Sequence, residues 1–335
     1  MSQADVEPQA VRAAERNEKT SIRNLTVEQV SNLRLLALFV AVAAIGALLS
    51  HGVLLRPENL SNILQQNAVL FVVVLAQFLI VVSGGFDLSV GAVTALASVI
   101  FVGCIDYGLA VSIPAALLAG LAVGVVNGVL VTFVRLPSFV VTLGTMQIGY
   151  SVAKMWTGGG TIQTGFRGAT LPQPLLRFYS VDWLHVPLPV WLAIGILALT
   201  ALYLRSSIGH FLFAVGGNAR AARLAGIPVS RVRLTAYAVA SLIASVGGLL
   251  FALRVGYGDP QAGTWLALDS IAAVSIGGVS LTGGEGSILS GFLGVLIIAM
   301  LDNIMNLLGV SVNAQPIVKG VIVIATVYIY SRRRS

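Results

Sequence analysis

Apolar residues in this chain fall into long unbroken runs, separated by short intervals of glycine, proline and charge. Ten such runs approach the ~20 residues a helix needs to cross a bilayer. They cover 33–50, 61–83, 87–105, 108–134, 138–156, 187–204, 233–254, 266–282, 287–308 and 315–331. The runs are continuous rather than alternating at period two, which excludes a β-barrel. The pattern predicts an all-α polytopic membrane protein of about ten transmembrane helices, with Gly277, Gly278, Gly283 and Gly284 interrupting the eighth. Residues 33–335 form one membrane domain. Residues 1–32 are polar and mixed in charge with no apolar core, which reads as a short, flexible cytosolic tail rather than a signal peptide.

A basic, glycine-punctuated interruption runs from Arg205 to Arg233 and contains SIGHFLFAVGGNARAARLAGIPVSRVR. It reads as a loop at the membrane surface carrying one short helix. Asn218 supplies a side-chain acceptor for the open N–H groups of a first turn. Gly226 suits the left-handed residue that ends a helix, and Pro228 prevents an immediate restart. Helical spacing puts Ala221, Leu224 and Ala225 on one face and Arg220 and Arg223 on another. A small apolar face beside two arginines suits docking onto another protein; the plainer reading is an ordinary basic loop.

Composition supports the membrane reading. Hydrophobic residues make up 57% of the chain and charged residues 10%, against roughly 25% charged in soluble domains. A formal charge of +7 invites a nucleic-acid reading, but its placement argues otherwise. Arg12, Arg16, Lys19, Arg23 and Arg34 precede the first run, and Arg332, Arg333 and Arg334 follow the last. Arg135 and the 205–233 cluster fall on that same side if every run crosses. This asymmetry obeys the positive-inside rule, places both termini in the cytoplasm and requires an even number of spans. The charge reports topology, and no nucleic-acid partner is expected. Cys104 stands alone, so no internal disulfide forms. The outward stretch Thr157–His185 is long enough for an ordered surface element but not for a domain.

A weak internal echo suggests two five-helix halves of inverted topology, a common plan among transporters. Asp87-Leu88-Ser89 opens one small-residue helix and Asp269-Ser270 another, each followed by an apolar segment centred on an asparagine, Asn127 or Asn303. Glycines at 120, 124 and 128 share one helix face, where small residues let backbones approach closely.

A carboxylate near the bilayer centre costs roughly 2.5–3.5 kcal/mol on insertion scales, so each needs a partner or a purpose. Asp87 and Asp269 stand where each can cap the following helix, a structural role that ranks ahead of contact with cargo. Asp302 and Lys319 lie at similar depth on successive spans and form a candidate buried ion pair. Asn127 and Asn303 are candidates for bonds between helices. Enzymatic readings fare poorly. The G-x-G-D pattern of intramembrane aspartyl proteases is absent, as are His-Glu-x-x-His and G-x-x-x-x-G-K-[ST]; His51, His185 and His210 are scattered near span ends. No metal, cofactor or nucleotide site is expected, so any energy from nucleotide has to arrive from another subunit.

The segments GGFDLSVGAVTALAS (84–98), NGVLVTFVRLPSFVVTLGTM (127–146), GGNARAARLAGIPVSRVRL (216–234), GDPQAGTWLALDSIAAVSIGGVSLTGGEGS (258–287) and NLLGVSVNAQPIVKG (306–320) resemble permeases of bacterial monosaccharide ABC importers, of the ribose, xylose, arabinose and galactose type. The resemblance spans residues 35–330 in unbroken order. It implies a multi-pass subunit of the bacterial inner membrane with the ten-helix type II importer architecture. Its implied partners are membrane lipid, a periplasmic sugar-binding protein, a second permease copy or paralogue, and an ATPase with two fused nucleotide-binding domains. In that family the GGN-x-x-AARL-x-GI element is the coupling helix, which maps to Gly216, Gly217, Asn218, Ala221, Ala222, Arg223, Leu224, Gly226 and Ile227. Relatives commonly carry Asn where this chain has Asp302. The implied mechanism is alternating access driven by the ATPase, with a neutral sugar passing at the dimer axis. Rival readings are an ABC permease for branched-chain amino acids or nucleosides and an ion-coupled secondary transporter.

Overall fold

A computed structural model describes residues 33–331. The expected N-terminal tail at 1–32 and the closing arginines Arg332 to Arg334 lie outside the described residues. Among the described residues fourteen α-helices follow one another: α1 (Leu33–Leu49), α2 (Pro57–Gln66), α3 (Ala68–Val82), α4 (Val90–Gly103), α5 (Leu109–Thr132), α6 (Ser138–Thr157), α7 (Gln173–Phe178), α8 (Leu188–Arg205), α9 (Ser207–Gly217), α10 (Ala219–Leu224), α11 (Val229–Val255), α12 (Leu266–Ile276), α13 (Ile288–Leu307) and α14 (Gln315–Ser331). The helices α5, α8, α11 and α13 are each long and apolar enough to cross a membrane, and α2 with α3 makes a fifth candidate bent by 49°. The bend falls at Asn67, between the two helices. The run expected over 266–282 is helical only to Ile276, because Gly277 and Gly278 end α12.

Burial follows composition. Every residue of α3 and of α4 is buried, which fits helices that are hydrophobic all round and enclosed by others. The helix α11 packs against α3, α4 and α5 and is the main support of the bundle. Its contact with α5 runs along the glycine stripe. A Cβ at Gly124 would stand 2.5 Å from the Tyr237 carbonyl, and one at Gly128 would stand 3.1 Å from the Leu234 Cα. Without side chains there, the two backbones meet directly and gain dispersion contacts that lipid does not otherwise favour.

One end of the bundle carries a small cap. A two-stranded antiparallel ladder pairs β1 (Asp182–Trp183) with β2 (Val186–Pro187). Asp106 holds the preceding loop by accepting from the backbone N–H of Arg167 at 2.6 Å and of Ala169 at 2.8 Å. Tyr179, in the same cap, is buried, and that burial pushes its phenol up to about 12, with the nearby Arg254 cation pulling the other way. The other end holds α9, α10, the α5–α6 loop and the start of α11, and with them most arginines of the middle of the chain.

Candidate functional site

The basic stretch after α8 is more ordered than a loop with one helix. Ser206 caps α9 by accepting from the Gly209 N–H at 3.2 Å, and Leu212 and Val215 anchor that helix in the core. The periodicity of SIGHFLFAV is short, and Gly209 within it and the glycine pair that follows disguise it. The next helix, α10, forms as its caps dictate. The Asn218 Oδ1 accepts from the Arg220 and Ala221 N–H groups at 3.1 and 2.9 Å. At the other end, Gly226 adopts φ +81°, and the Ile227 N–H reaches the Ala222 carbonyl at 3.0 Å. That closure satisfies carbonyls the helix leaves open.

The faces of α10 divide unequally. Ala222 is buried, 5% exposed, and turns inward, whereas Leu224 is 84% exposed. Ala221, Arg220, Arg223 and Ala225 are exposed as well. The two-turn helix thus holds one leucine out to solvent with arginines beside it.

The base of α10 is joined to the bundle through a junction made of glycine backbone. A Cβ on Gly216 would overlap the Val82 carbonyl oxygen and stand 2.6 Å from the Gly284 nitrogen, while one on Gly283 would stand 2.7 Å from the Gly84 Cα. The Gly284 N–H donates to the Val82 carbonyl at 2.9 Å. The end of α3, the end of α9 and the α12–α13 loop therefore meet with no side chain between them. Close backbone approach of this kind is open only to glycine.

Three residues beyond Gly84 lies Asp87, fully buried. Its Oδ1 accepts from the Ser89 N–H at 2.7 Å and the Ser89 hydroxyl at 2.6 Å. The Asn127 amide of α5 donates to the Ser89 hydroxyl oxygen at 2.9 Å and accepts from the Thr145 hydroxyl of α6 at 2.7 Å. The expected capping role is corrected here: α4 starts after Ser89 with no side-chain cap, and Asp87 closes a tight turn before it. Its Oδ2 has no hydrogen-bond partner among the described residues. The adjoining Phe86 is tied at both ends. Its N–H donates to the Ser138 hydroxyl at 3.2 Å, and its carbonyl accepts from the Tyr237 hydroxyl at 3.3 Å and the Thr142 hydroxyl at 3.4 Å. Sequence reasoning missed Ser138, Thr142, Thr145 and Tyr237. The first three recur at intervals of four and three, a polar stripe on one face of α6 that was available as a signal.

Asp269 also departs from its expected role. It sits in the first turn of α12 without capping it, because Lys319 takes its carboxylate. The Lys319 Nζ lies 3.0 Å from the Asp269 Oδ2 and 3.0 Å from the Asp302 Oδ2. One ammonium thus bridges α12, α13 and α14, and the Asp302–Lys319 pair has a third member. Asn303 turns elsewhere, exchanging two hydrogen bonds with Asn59 of α2 at 2.9 and 3.0 Å. Among the described residues no group of three or more His, Cys, Asp or Glu side chains could hold a metal ion.

Comparison with known proteins sets this geometry in a family. Residues 59–327 match the family described as branched-chain amino acid transport system / permease component. The chain belongs to that family. It is 37% identical over 306 residues to the ribose import permease protein RbsC of Escherichia coli (strain K12), covering 90% of this chain and 93% of that protein. It is 35% identical over 303 residues to RbsC of Bacillus subtilis (strain 168), covering 90% and 92%. It is 32% identical over 368 aligned positions to the xylose transport system permease protein XylH of E. coli (strain K12), covering 90% and 93%. No solved structure matches the chain.

Proposed function

We propose that this chain is the membrane permease of an ATP-driven importer of monosaccharides, working in the bacterial inner membrane as one of two permease subunits. A partner ATPase supplies the energy, and a periplasmic binding protein delivers the sugar. The cargo class rests on the ribose and xylose permeases, which align over nearly the full length of both chains. The family description favours branched-chain amino acids as the second reading. Uptake assays with both classes of solute, in vesicles carrying the complete transporter, decide between them.

The observation that carries the mechanism is the continuity between α10 and the membrane interior. Leu224 and Arg220, at the exposed tip of α10, offer the ATPase a surface. Movement of α10 passes through Asn218 and Gly217 to the glycine junction, where no side chain can give way. Gly84 receives it, and Asp87 with its hydrogen-bonded partners carries it to α4, α5 and α6. In this scheme ten crossing segments lie in two inverted halves, with both termini and α10 on the cytoplasmic side. The arginine distribution supports that orientation. Support for the halves comes from the two polar networks, which each join three successive helices, α4–α6 and α12–α14.

Replacing Leu224 by Asp tests the coupling role without disturbing the core, since Leu224 is 84% exposed. The variant should assemble and melt as the parent does, yet lose most transport-coupled ATPase stimulation in proteoliposomes. Retention of that stimulation would remove α10 from the mechanism. Ala222 is less suited to the experiment, because a bulky residue at a buried site also dislodges the helix. An ion-coupled secondary transporter would instead move solute uphill on an imposed ion gradient with no ATPase present.

A further inference from the structure

At the basic end, between α10, the α5–α6 loop and the start of α11, the protein encloses an open cavity of about 990 Å³. Four arginines line it: Arg135, Arg223, Arg231 and Arg233. Among the described residues no carboxylate lines the cavity, and none of the four guanidinium groups makes an ion pair or hydrogen bond. Arg135, Arg223 and Arg231 are exposed and Arg233 is half-buried, so water screens part of their mutual repulsion and an anion bound among them would relieve the rest.

The backbone adds to the same field. Both α6 and α11 begin at this cavity, behind Pro137 and Pro228, and neither has a side-chain cap. The positive ends of two helix dipoles therefore lie at the cavity. Arg135 is held at φ +65°, a region that residues with a side chain seldom adopt. The rim is apolar. Phe133, Val134, Leu136, Phe139 and Val140 are between 42% and 59% exposed, and they continue onto the outer surfaces of α5 and α6.

We propose that this cavity binds the phosphate of an anionic phospholipid headgroup, with the acyl chains lying along the apolar rim. The chemistry needed is a phosphate monoanion or dianion that several guanidinium groups can grip. Size separates a lipid from a free anion: the cavity lies at the upper end of the roughly 300–1,000 Å³ that hold drug-sized ligands, far more than inorganic phosphate fills. Position agrees, because basic pockets between membrane helices at the headgroup level attract acidic lipids. The bound lipid would wedge the α5–α6 loop against α11 beside Tyr237 and Gly85, and so set how freely the Phe86–Asp87 turn moves.

The test uses the full-length permease in non-ionic detergent, followed by native mass spectrometry during titration with phosphatidylglycerol, phosphatidylethanolamine or inorganic phosphate. Phosphatidylglycerol should bind in preference to phosphatidylethanolamine. The triple variant Arg135→Gln, Arg231→Gln, Arg233→Gln should weaken phosphatidylglycerol binding on the order of a hundredfold, and Arg135→Gln alone by about fivefold. The corresponding triple Lys variant should retain the preference, which separates lost charge from lost fold. If the triple Gln variant does not fold, the single Arg135→Gln variant and the Lys variant still decide the matter. Equal binding of the two lipids, or an unchanged Arg135→Gln affinity, overturns the proposal. So does displacement of phosphatidylglycerol by millimolar phosphate, which assigns the cavity to a free anion. Stoichiometric displacement by the ATPase partner likewise overturns it and assigns the cavity to an acidic protein segment.

Discussion

Two polar networks, one around Asp87 and one around Lys319, each tie three successive helices together, yet they do it with different chemistry. Around Asp87 a buried carboxylate is held by a serine N–H and hydroxyl, and neutral Asn127 and Thr145 extend the chain to α5 and α6. Around Lys319 a cation grips two carboxylates, each about one-fifth exposed. The starting sequences are alike, an aspartate before a serine near the start of a small-residue helix. Their surroundings separate them. The wall around Asp87 is closed on all sides, so directional hydrogen bonds are available and a second charge is not. The site of Asp269 opens toward the end of the bundle, where a long lysine reaches in with its charge still partly solvated. A closed network of directional hydrogen bonds fits the transmitting role proposed for that segment, whereas an ion pair at a partly exposed site fits a clasp.

Substitutions that exchange the two chemistries test this contrast. Asn127→Asp places a second acid on the hydroxyl that already serves Asp87, with no cation to offset it. The expected loss is about 3 kcal/mol, seen as a large fall in thermal unfolding temperature in detergent and a poor yield of folded protein. Lys319→Met leaves Asp269 and Asp302 facing each other. A fully buried pair broken this way costs about 3–5 kcal/mol; the partial exposure here lowers the expectation to about 2 kcal/mol. Adding Asp269→Asn and Asp302→Asn to that variant should restore most of the loss, because the repulsion goes with the charges. Asn127→Leu removes the bridge without adding charge and leaves Ser89 and Thr145 short of a partner, a cost of about 1–2 kcal/mol. Asp302→Asn should cost less than about 1 kcal/mol, since Lys319 keeps Asp269. If Asp302→Asn destabilised the protein more than Lys319→Met, the clasp would not be centred on the lysine.

Much of the bundle could be read from the chain. The expected runs and the observed helices agree within a few residues at most ends, because continuous apolar stretches leave few alternatives in a bilayer. The α10 helix was legible through Asn218 and Gly226, whose capping roles depend only on neighbouring backbone. Reading failed where the partner is distant. Asp269 looked like a cap because its neighbours in sequence suggest one, but Lys319 lies fifty positions away. The sequence predicts loop where α9 stands, since the support of that helix comes from tertiary burial of Leu212 and Val215 rather than from a long period. Gly216 and Gly217 were marked as part of a motif; that they abut Val82 and Gly84 could not be inferred from spacing.

The chain alone determined that this is a helical membrane protein, where its helices run, and which short element stands outside the apolar runs with its own caps. These follow from local terms: hydrophobic transfer, backbone hydrogen bonding and the conformational range of glycine and proline. Only the tertiary structure decided which polar groups meet. Whether Asp87 ends in a closed hydrogen-bonded network and Asp269 in an ion pair depends on the depth and openness of each packed site. That depth is produced jointly by helices far apart in sequence.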